Sequence, residues 1–296
     1  MILNVSGMDF VFLSVDEPNA EKNFADLKRK VPWAKRVHGV KGFDTAHKKA
    51  AEVSDTDRFI TVDADTQVHN SFLNVMVDLN SLGLDNTYQL SWCGHIDLNG
   101  LRYGNGSLKC WTKDFVKNMR THENHDGEAD SNNKNVIEFC HFPNYYQFND
   151  NYSISYIDGS AHQAWRAGFR EGVKMSLNRG KRVQDINTEI WIKNLQKLLI
   201  WMNVGTDVEH GWWSCFGARH GCYLTMCTDW DTNKTRDFAH LDELWNEVEQ
   251  SNVEQLMKHY SESLIDVGVN IGMTPLEPQQ SKWFKQVYVN SPRRFK

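Results

Sequence analysis

Along the first third of the chain, short unbroken apolar runs alternate with stretches in which apolar residues recur every third or fourth position. Asp9 to Val15 (DFVFLSV) is a run of apolar, aromatic and β-branched residues that stops at the turn sequence DEPN, and it predicts a strand ending in a loop. From Ala20 to Lys30, Phe24 and Leu27 stand among charges at helical spacing until VPW closes the segment. KRVHGV (35–40) predicts a second strand, and GFD leads into a helix over TAHKKAAEVS with Asp44 as N-cap. FITV predicts the third strand, which runs into Asp63 and Asp65. Strand, helix, strand, helix, strand with short connections predicts an α/β fold with a mostly parallel sheet, whose ligands gather at the carboxyl ends of the strands.

Further on, Phe72 to Leu79 reads as a helix and Tyr88 to Cys93 as a strand. RYGNGSLKCWTKDFVKN carries Gly104 and Gly106 ahead of a helix-like segment. The polar stretch 121–135 (THENHDGEADSNNKN) predicts a mobile surface loop. IDGSAHQAWRAGFREGVKM reads as a helix broken by its glycines, TEIWIKNLQKLLIWMNVG as a stronger amphipathic helix, and the chain from 238 on as mostly helical. The expected organisation is one α/β domain over residues 1–228 with a helical C-terminal extension over 229–296. No internal repeat is apparent.

The pair Asp63 and Asp65 raises the first chemical question. Strand alternation would set both carboxylates on one face, roughly 6–7 Å apart by ordinary strand rise. Like charges that close call for a cation, and Mg²⁺ or Mn²⁺ suits a site with few carboxylates because it keeps positions open for phosphate oxygens. The competing explanation for an isolated D-x-D is a solvated turn after a strand.

Composition narrows the picture. At 296 residues with 40% hydrophobic and 24% charged residues, this is an ordinary globular composition. No window has the ~18 apolar residues of a membrane span and the N-terminus lacks a signal-peptide pattern, so the expectation is a cytoplasmic protein with no membrane partner. Six scattered cysteines without a CxxC predict reduced, mostly buried thiols, and His122, His125, Cys140 and His141 lack zinc-site spacing. A net charge of −5 argues against a general nucleic-acid binder. Residues 22–49 and the tail KWFKQVYVNSPRRFK are nonetheless rich in Lys and Arg, whether as a polyanion-binding face or as a solvated one balanced by acids elsewhere.

The order of these parts resembles the GT-A class of nucleotide-sugar glycosyltransferases, through the stretch from FLSVDEPNA to FITVDADTQV and through YGNGSLKCW, AWRAGFREG and DVEHGWWSCFGARHG, together roughly residues 9 to 225. In particular it resembles phage-encoded members that glucosylate or arabinosylate hydroxymethylated bases of viral DNA. The resemblance implies a GT-A (Rossmann-like) fold, a UDP-type nucleoside-diphosphate sugar as donor and Mn²⁺ or Mg²⁺ as cofactor. It implies double-stranded DNA carrying 5-hydroxymethylcytosine as acceptor, in a host cytoplasm if phage-encoded. One departure stands out: Gly159 and Ser160 occupy the place where many inverting members carry an acidic pair.

The roles follow from the chemistry. Asp65, with Asp63, is the expected metal site; the resemblance implies a third ligand from a C-terminal segment, for which Asp207, His210 and His220 are candidates, with His210 preferred. Asp158 is the first candidate for general base, ahead of His162 and Glu171. Ser14, Asp16 and Glu17 stand where the resemblance puts the nucleobase and ribose, and Lys41, Gly42 and His47 where a turn would close over the nucleotide. Gly104 and Gly106 would let the chain pass close to the sugar, and Arg166 with Arg170 would clamp phosphate or pair with acids. Trp111, Trp165, Trp212 and Trp213 are candidate stacking platforms, although most tryptophans only pack. The rivals are a nucleotidyltransferase, which normally has a glycine-rich loop after its first strand; a binding module, which would lack the D-x-D; and a glycosyltransferase acting on a glycan or polypeptide. Oligomeric state, sugar and stereochemical outcome stay open.

Overall fold

The computed structural model describes residues 1–104, 107–121, 136–137 and 144–290. The elements are β1 (Asp9–Ser14), α1 (Ala20–Lys30), β2 (Lys35–His38), α2 (Phe43–Val53), β3 (Arg58–Asp63), β4 (Thr66–Val68), β5 (Gln89–Ile96), β6 (Arg102–Tyr103), β7 (Leu108–Thr112), α3 (Lys113–Asn118) and β8 (Tyr145–Ser155). Helices then take over: α4 (Ala161–Met175), α5 (Ile186–Glu189), α6 (Ile192–Asn203), α7 (Gly211–Cys227), α8 (Phe238–Glu249), α9 (Val253–Asp266) and α10 (Pro278–Asn290). Two further two-stranded pairings, Ile2–Asn4 with Met76–Asp78 and Arg120–Thr121 with Val136–Ile137, stand apart from the main sheet.

The chain divides into two compact units. The first comprises Met1–Ile96 and Arg102–Tyr156; the second comprises Asp97–Leu101 and the chain from Ile157 on. Residue 228 lies inside the second unit, where α4 and α7 pack with α8 and α9.

In the first unit the strands follow the order β2-β1-β3-β7-β5-β8-β4, with β6 on β5. β1, β2, β3, β5 and β8 run one way and β4, β6 and β7 the other, so the fold is α/β with a mostly parallel sheet, as the early alternation predicts. β1 is buried along its whole length, and its neighbours alternate between two cores. Phe10, Phe12, Ile60 and Val62 pack with Leu27 of α1 on one face, and Val11, Leu13, Phe59 and Trp111 pack with Ala50 and Ala51 of α2 on the other. This two-sided burial is why central parallel strands read as continuous apolar runs.

Two elements differ from the sequence reading here. Residues 72–79 form no α-helix: a short 3-10 turn, Asn70–Asn74, leads into the strand Met76–Asp78, whose backbone pairs with the N-terminal Ile2–Asn4. A partner seventy residues away overrides the local pattern. Helix α2 begins two residues earlier than expected, with Gly42 (φ 93°, ψ 132°) at its N-cap; Asp44 lies inside the first turn and pairs with Lys48 at 2.7 Å. The positive φ is one that glycine adopts without strain.

In the second unit the glycines of α4 do not break it. The helix runs fifteen residues without interruption. Gly168 and Gly172 lie against α7, where an added Cβ would stand 2.0 Å from the Ser214 carbonyl oxygen and 2.3 Å from that of Ala218. Gly217 and Gly221 of α7 reciprocate, 2.2 Å from the carbonyl oxygens of Trp165 and Phe169. Two i,i+4 glycine pairs thus form matching faces, and the helices touch backbone to backbone. Around this crossing Trp165, Phe169, Phe216, Trp245 and Tyr260 form one aromatic core.

Candidate functional site

Asp63 is the last residue of β3, and Ala64 and Asp65 form the turn into β4. Asp65 is therefore not on the strand, and the alternation argument does not set the spacing of the two carboxylates. What the turn does instead is tie down its own backbone. Asp63 N–H donates to Ser107 O (3.3 Å), Asn23 Nδ2 of α1 donates to Ala64 O (2.8 Å), and Tyr156 N–H donates to Asp65 O (2.8 Å). Asn23 is itself held by Gln67 Nε2 at 3.0 Å. Three main-chain groups of the turn are thus held by neighbouring elements. Thr66 Oγ1 donates to Asp65 Oδ1 (3.0 Å). Burial first, then the charges of Asp63 and Glu17, push the Asp65 carboxyl up to about 7 against that hydrogen bond.

Glu17, from the loop after β1, is thus within electrostatic reach of Asp65, and its Oε2 also accepts from Val15 N–H at 2.8 Å. Asn19, in the same loop, donates Nδ2 to Tyr156 O at 2.8 Å, while its buried Oδ1 receives no hydrogen bond. Surroundings rich in carboxylate and amide oxygens fit a hard divalent cation. Among the described residues no three His, Cys, Asp or Glu side chains are grouped to hold a metal, so the fit is to an ion bound by one or two carboxylates and completed by phosphate and water.

The other donor-side candidates divide. Asp16, Lys41 and Gly42 are exposed in the loops that follow β1 and β2. Ser14 is buried, its Oγ accepting from Arg36 Nε at 2.9 Å and lying 3.0 Å from His38 Nδ1. His47 is packed into the sheet's α2-side core: its ring lies tilted against Phe43 at 3.9 Å, its Nδ1 lies 2.8 Å from Phe43 O, and burial lowers it to about 3. It serves the core. Gly104 makes room for the Gln147 side chain, 2.2 Å from an added Cβ. Gly106, His122, His125, Cys140, His141 and the loop from residue 122 to 135 lie outside the described residues.

The second unit holds the remaining candidates. Asp158 is half-buried in the segment entering α4. His162, one turn further, stacks on Trp245 at 5.1 Å, and its Nε2 lies 3.3 Å from Asp242, which commits it to the helical packing. Arg166 and Arg170 lie over the Phe238 ring at 5.2 and 5.0 Å, and Glu171 pairs with Lys174. His220 is buried in the aromatic core, stacked on Tyr260 at 4.8 Å and lowered by burial to about 3. Asp207 is held by Lys285 and Ser281, which leaves His210, half-buried at the N-terminal boundary of α7, as the accessible candidate of that segment. Trp111 and Trp165 are fully buried, and Trp212 stacks on Phe216 at 5.4 Å, so these are packing residues rather than open platforms.

A residue the sequence reading passed over is Asp97, which follows β5 directly. Burial raises its carboxyl, Lys285 opposes that, and Asp158 and Asp207 add to it. An acid at the carboxyl end of an apolar strand, the signal that singled out Asp63, is present here too.

Most cations of the basic stretch 22–49 are paired with acids inside it or next to it in the fold. Arg29 and Lys30 share Asp26 (2.5 Å each), Lys35 bridges Asp9 (2.9 Å) and Asp55 (2.6 Å), Arg36 meets Glu21 (2.6 Å), and Lys49 meets Glu52 (2.7 Å). Lys28 donates to the carbonyls of Pro32 and Ala34 at the end of α1. No helix among the described residues is long and apolar enough to cross a membrane.

No protein-family model matches the chain, and none of the curated proteins does. Among solved structures it is similar to a glycosyltransferase involved in the glycosylation of the major capsid of PBCV-1, with a TM-score of 0.31, 12% identity, and coverage of 51% of this chain and 94% of that one. It is also similar to HddC from Yersinia pseudotuberculosis (TM-score 0.32, 11% identity, 54% and 97% covered) and to the same protein complexed with GMP-PN (0.31, 11%, 50% and 93%).

Proposed function

We propose that the protein is a GT-A glycosyltransferase that moves a hexose or arabinose from a nucleoside-diphosphate sugar to a hydroxyl, with Mn²⁺ or Mg²⁺ as cofactor. The observation that carries this reading is the turn at Asp63–Asp65, where a backbone held by its neighbours brings two acids together, with Glu17 in electrostatic reach, at the carboxyl end of β3. Glycosyl transfer breaks an anomeric C–O bond as the nucleoside diphosphate departs with added negative charge, and a divalent ion held by Asp63 and Asp65 would supply the compensating positive charge. Glu17 and Asn19 border the same turn, and Asp16, Lys41 and Gly42 are exposed on the loops that would face the nucleotide. The test is a thermal-shift screen of UDP-, GDP- and ADP-sugars with and without Mn²⁺, because a ligand that binds only the native state raises apparent stability. One donor should stabilise the chain only when metal is present, and the effect should vanish in Asp65→Asn. No shift with any donor and metal would end this reading.

For the acceptor, the resemblance points to 5-hydroxymethylcytosine in duplex DNA. A second reading, a glycan or polypeptide hydroxyl, is favoured by the ion pairing within 22–49, which leaves that stretch little unspent charge for phosphates. Mass spectrometry of nucleosides after reaction with hydroxymethylated duplex, donor and metal separates them: sugar on the base supports DNA, and none supports the second reading.

A further inference from the structure

Within the first unit, Asn19 at the N-cap of α1 and Asn23 one turn later lie on the same side of the helix, and each spends its amide nitrogen on a main-chain carbonyl in or beside the Asp63–Asp65 turn. Asn23 Nδ2 donates to Ala64 O. Asn19 Nδ2 donates to Tyr156 O, and the N–H of the same Tyr156 donates to Asp65 O, all three at 2.8 Å. These donations fix which branch of each amide is nitrogen and which is oxygen. The two oxygens then differ. Asn23 Oδ1 accepts from Gln67 Nε2 at 3.0 Å, whereas Asn19 Oδ1 is buried and accepts no hydrogen bond from the described residues. Nor does it cap α1, although asparagine is a preferred N-cap and ordinarily turns this oxygen on the second or third amide of its helix.

A buried oxygen without a positive partner is costly, and a bound ion is one of the partners that removes the cost. Asn19 shares its loop with Glu17, whose Oε2 accepts from Val15 N–H and whose charge acts on Asp65. With Asp63, Asp65 and Glu17 already at the turn, a further carboxylate would add repulsion. A neutral amide oxygen can bind a divalent cation without adding charge. We infer that Asn19 Oδ1 is a further protein ligand of the divalent cation assigned to Asp63 and Asp65. The inference rests on the metal-dependent glycosyltransferase reading. The third protein ligand, expected from a C-terminal segment, then comes from the loop after β1, and the other positions on the ion are left to phosphate oxygens and water.

The experiment uses protein labelled with ¹³C at the Cγ of asparagine and aspartate, titrated with Mg²⁺ first alone and then with inorganic pyrophosphate. The Asn19 Cγ resonance should move and saturate together with the carboxyl carbons of Asp63 and Asp65, while Asn23 Cγ stays close to its starting value. Electron paramagnetic resonance of free Mn²⁺ then gives the affinity of two variants. Asn19→Ala should raise the Mn²⁺ Kd about tenfold or more, the scale of losing even an outer partner of a metal site. Asn19→Asp keeps an oxygen for the ion but loses the donation to Tyr156 O, so it should bind Mn²⁺ at least as tightly as the parent. Carboxyl carbons that move while Asn19 Cγ does not, or an Asn19→Asp variant as weak as Asn19→Ala, would overturn the inference and leave the metal at Asp63 and Asp65. If none of these carbons moves, with or without pyrophosphate, the inference and the metal-dependent reading fall together.

Discussion

The turn at Asp63–Asp65 and the crossing of α4 with α7 are both tight, for opposite reasons. At the turn neighbours hold the backbone while acids crowd one another: Asn23, Ser107 and Tyr156 bond the main chain, and the charges of Asp63 and Glu17 push up the Asp65 carboxyl. At the crossing the side chains are missing, and the backbone of one helix rests on the carbonyls of the other. Removing a carboxylate from the first relieves repulsion, whereas adding one methyl group to the second forces two helices apart. The turn should be sensitive in function and tolerant in stability, and the crossing the reverse.

The largest effect is expected at the crossing. Gly168→Ala or Gly217→Ala should lower stability by about 3 kcal/mol or more, the upper range for overpacking, since a backbone carbonyl cannot swing away as a side-chain end can. Gly7→Ala, at a glycine with open space around its Cβ position, is the control and should be nearly neutral. Urea midpoints decide it, and equal midpoints for all three variants would dissolve the contrast. Next comes the turn: Asp65→Asn should reduce transfer by about 10²-fold or more, as loss of a group stabilising transition-state charge does. Its metal-free melting temperature above pH 7 should equal or exceed that of the parent, because Asp65 binds its proton more tightly folded than unfolded and its ionisation weighs on the folded chain.

Each unit also buries a histidine, and the two share a pH response. His47 and His220 stay neutral in the folded chain down to about 3, whereas the unfolded chain takes up protons near 6.5. Their contribution is complete above 6.5 and is lost as pH falls from there toward 3, at up to about 1.4 kcal/mol per pH unit for each. Denaturation at pH 7 and pH 5 should show this loss, and replacing His220 by Phe should remove its share. The smallest effect is expected at the surface: reversing the charge of Lys22 and Lys41 should weaken binding of hydroxymethylated duplex by less than about tenfold if that duplex is the acceptor, and should leave stability within about 0.5 kcal/mol. A much larger loss would return the basic stretch to the acceptor argument.

The parallel strands were legible because burial on both faces leaves few polar letters: DFVFLSV and KRVHGV give β1 and β2 to within two residues, and FITV lies inside β3. The D-x-D was legible as a pair of acids at a strand's end, but the bend placing Asp65 off the strand depends on Asn23 and Tyr156, which no local pattern announces. Glycines at 168 and 172 read as breaks because their partner glycines, at 217 and 221, lie on a different helix. The same distance problem hid Asp97, whose loop is bonded to a lysine 187 residues beyond Leu98. The pairing of the basic stretch was hidden for a simpler reason: Asp9, Glu21, Asp55 and Glu52, which meet Lys35, Arg36 and Lys49, lie outside residues 22–49.

Arg219 of α7 was absent from every functional consideration, yet it reaches furthest through the second unit. Fully buried and lowered to about 10 by burial, it donates to Met202 O, Asn203 Oδ1, Ser261 Oγ, Gly272 O and Met273 O. The last two lie in the stretch between α9 and α10, which has no regular structure and is further held by Leu276 N–H on Asn203 O. Such a stretch would ordinarily open on its own and be cut first by a protease. Tied through a guanidinium to the middle of α7, it opens only when that helix does. The Leu276 amide should therefore exchange with solvent deuterium at the pace of the helical core, and the C-terminal helix should come away from the second unit together with the core or not at all.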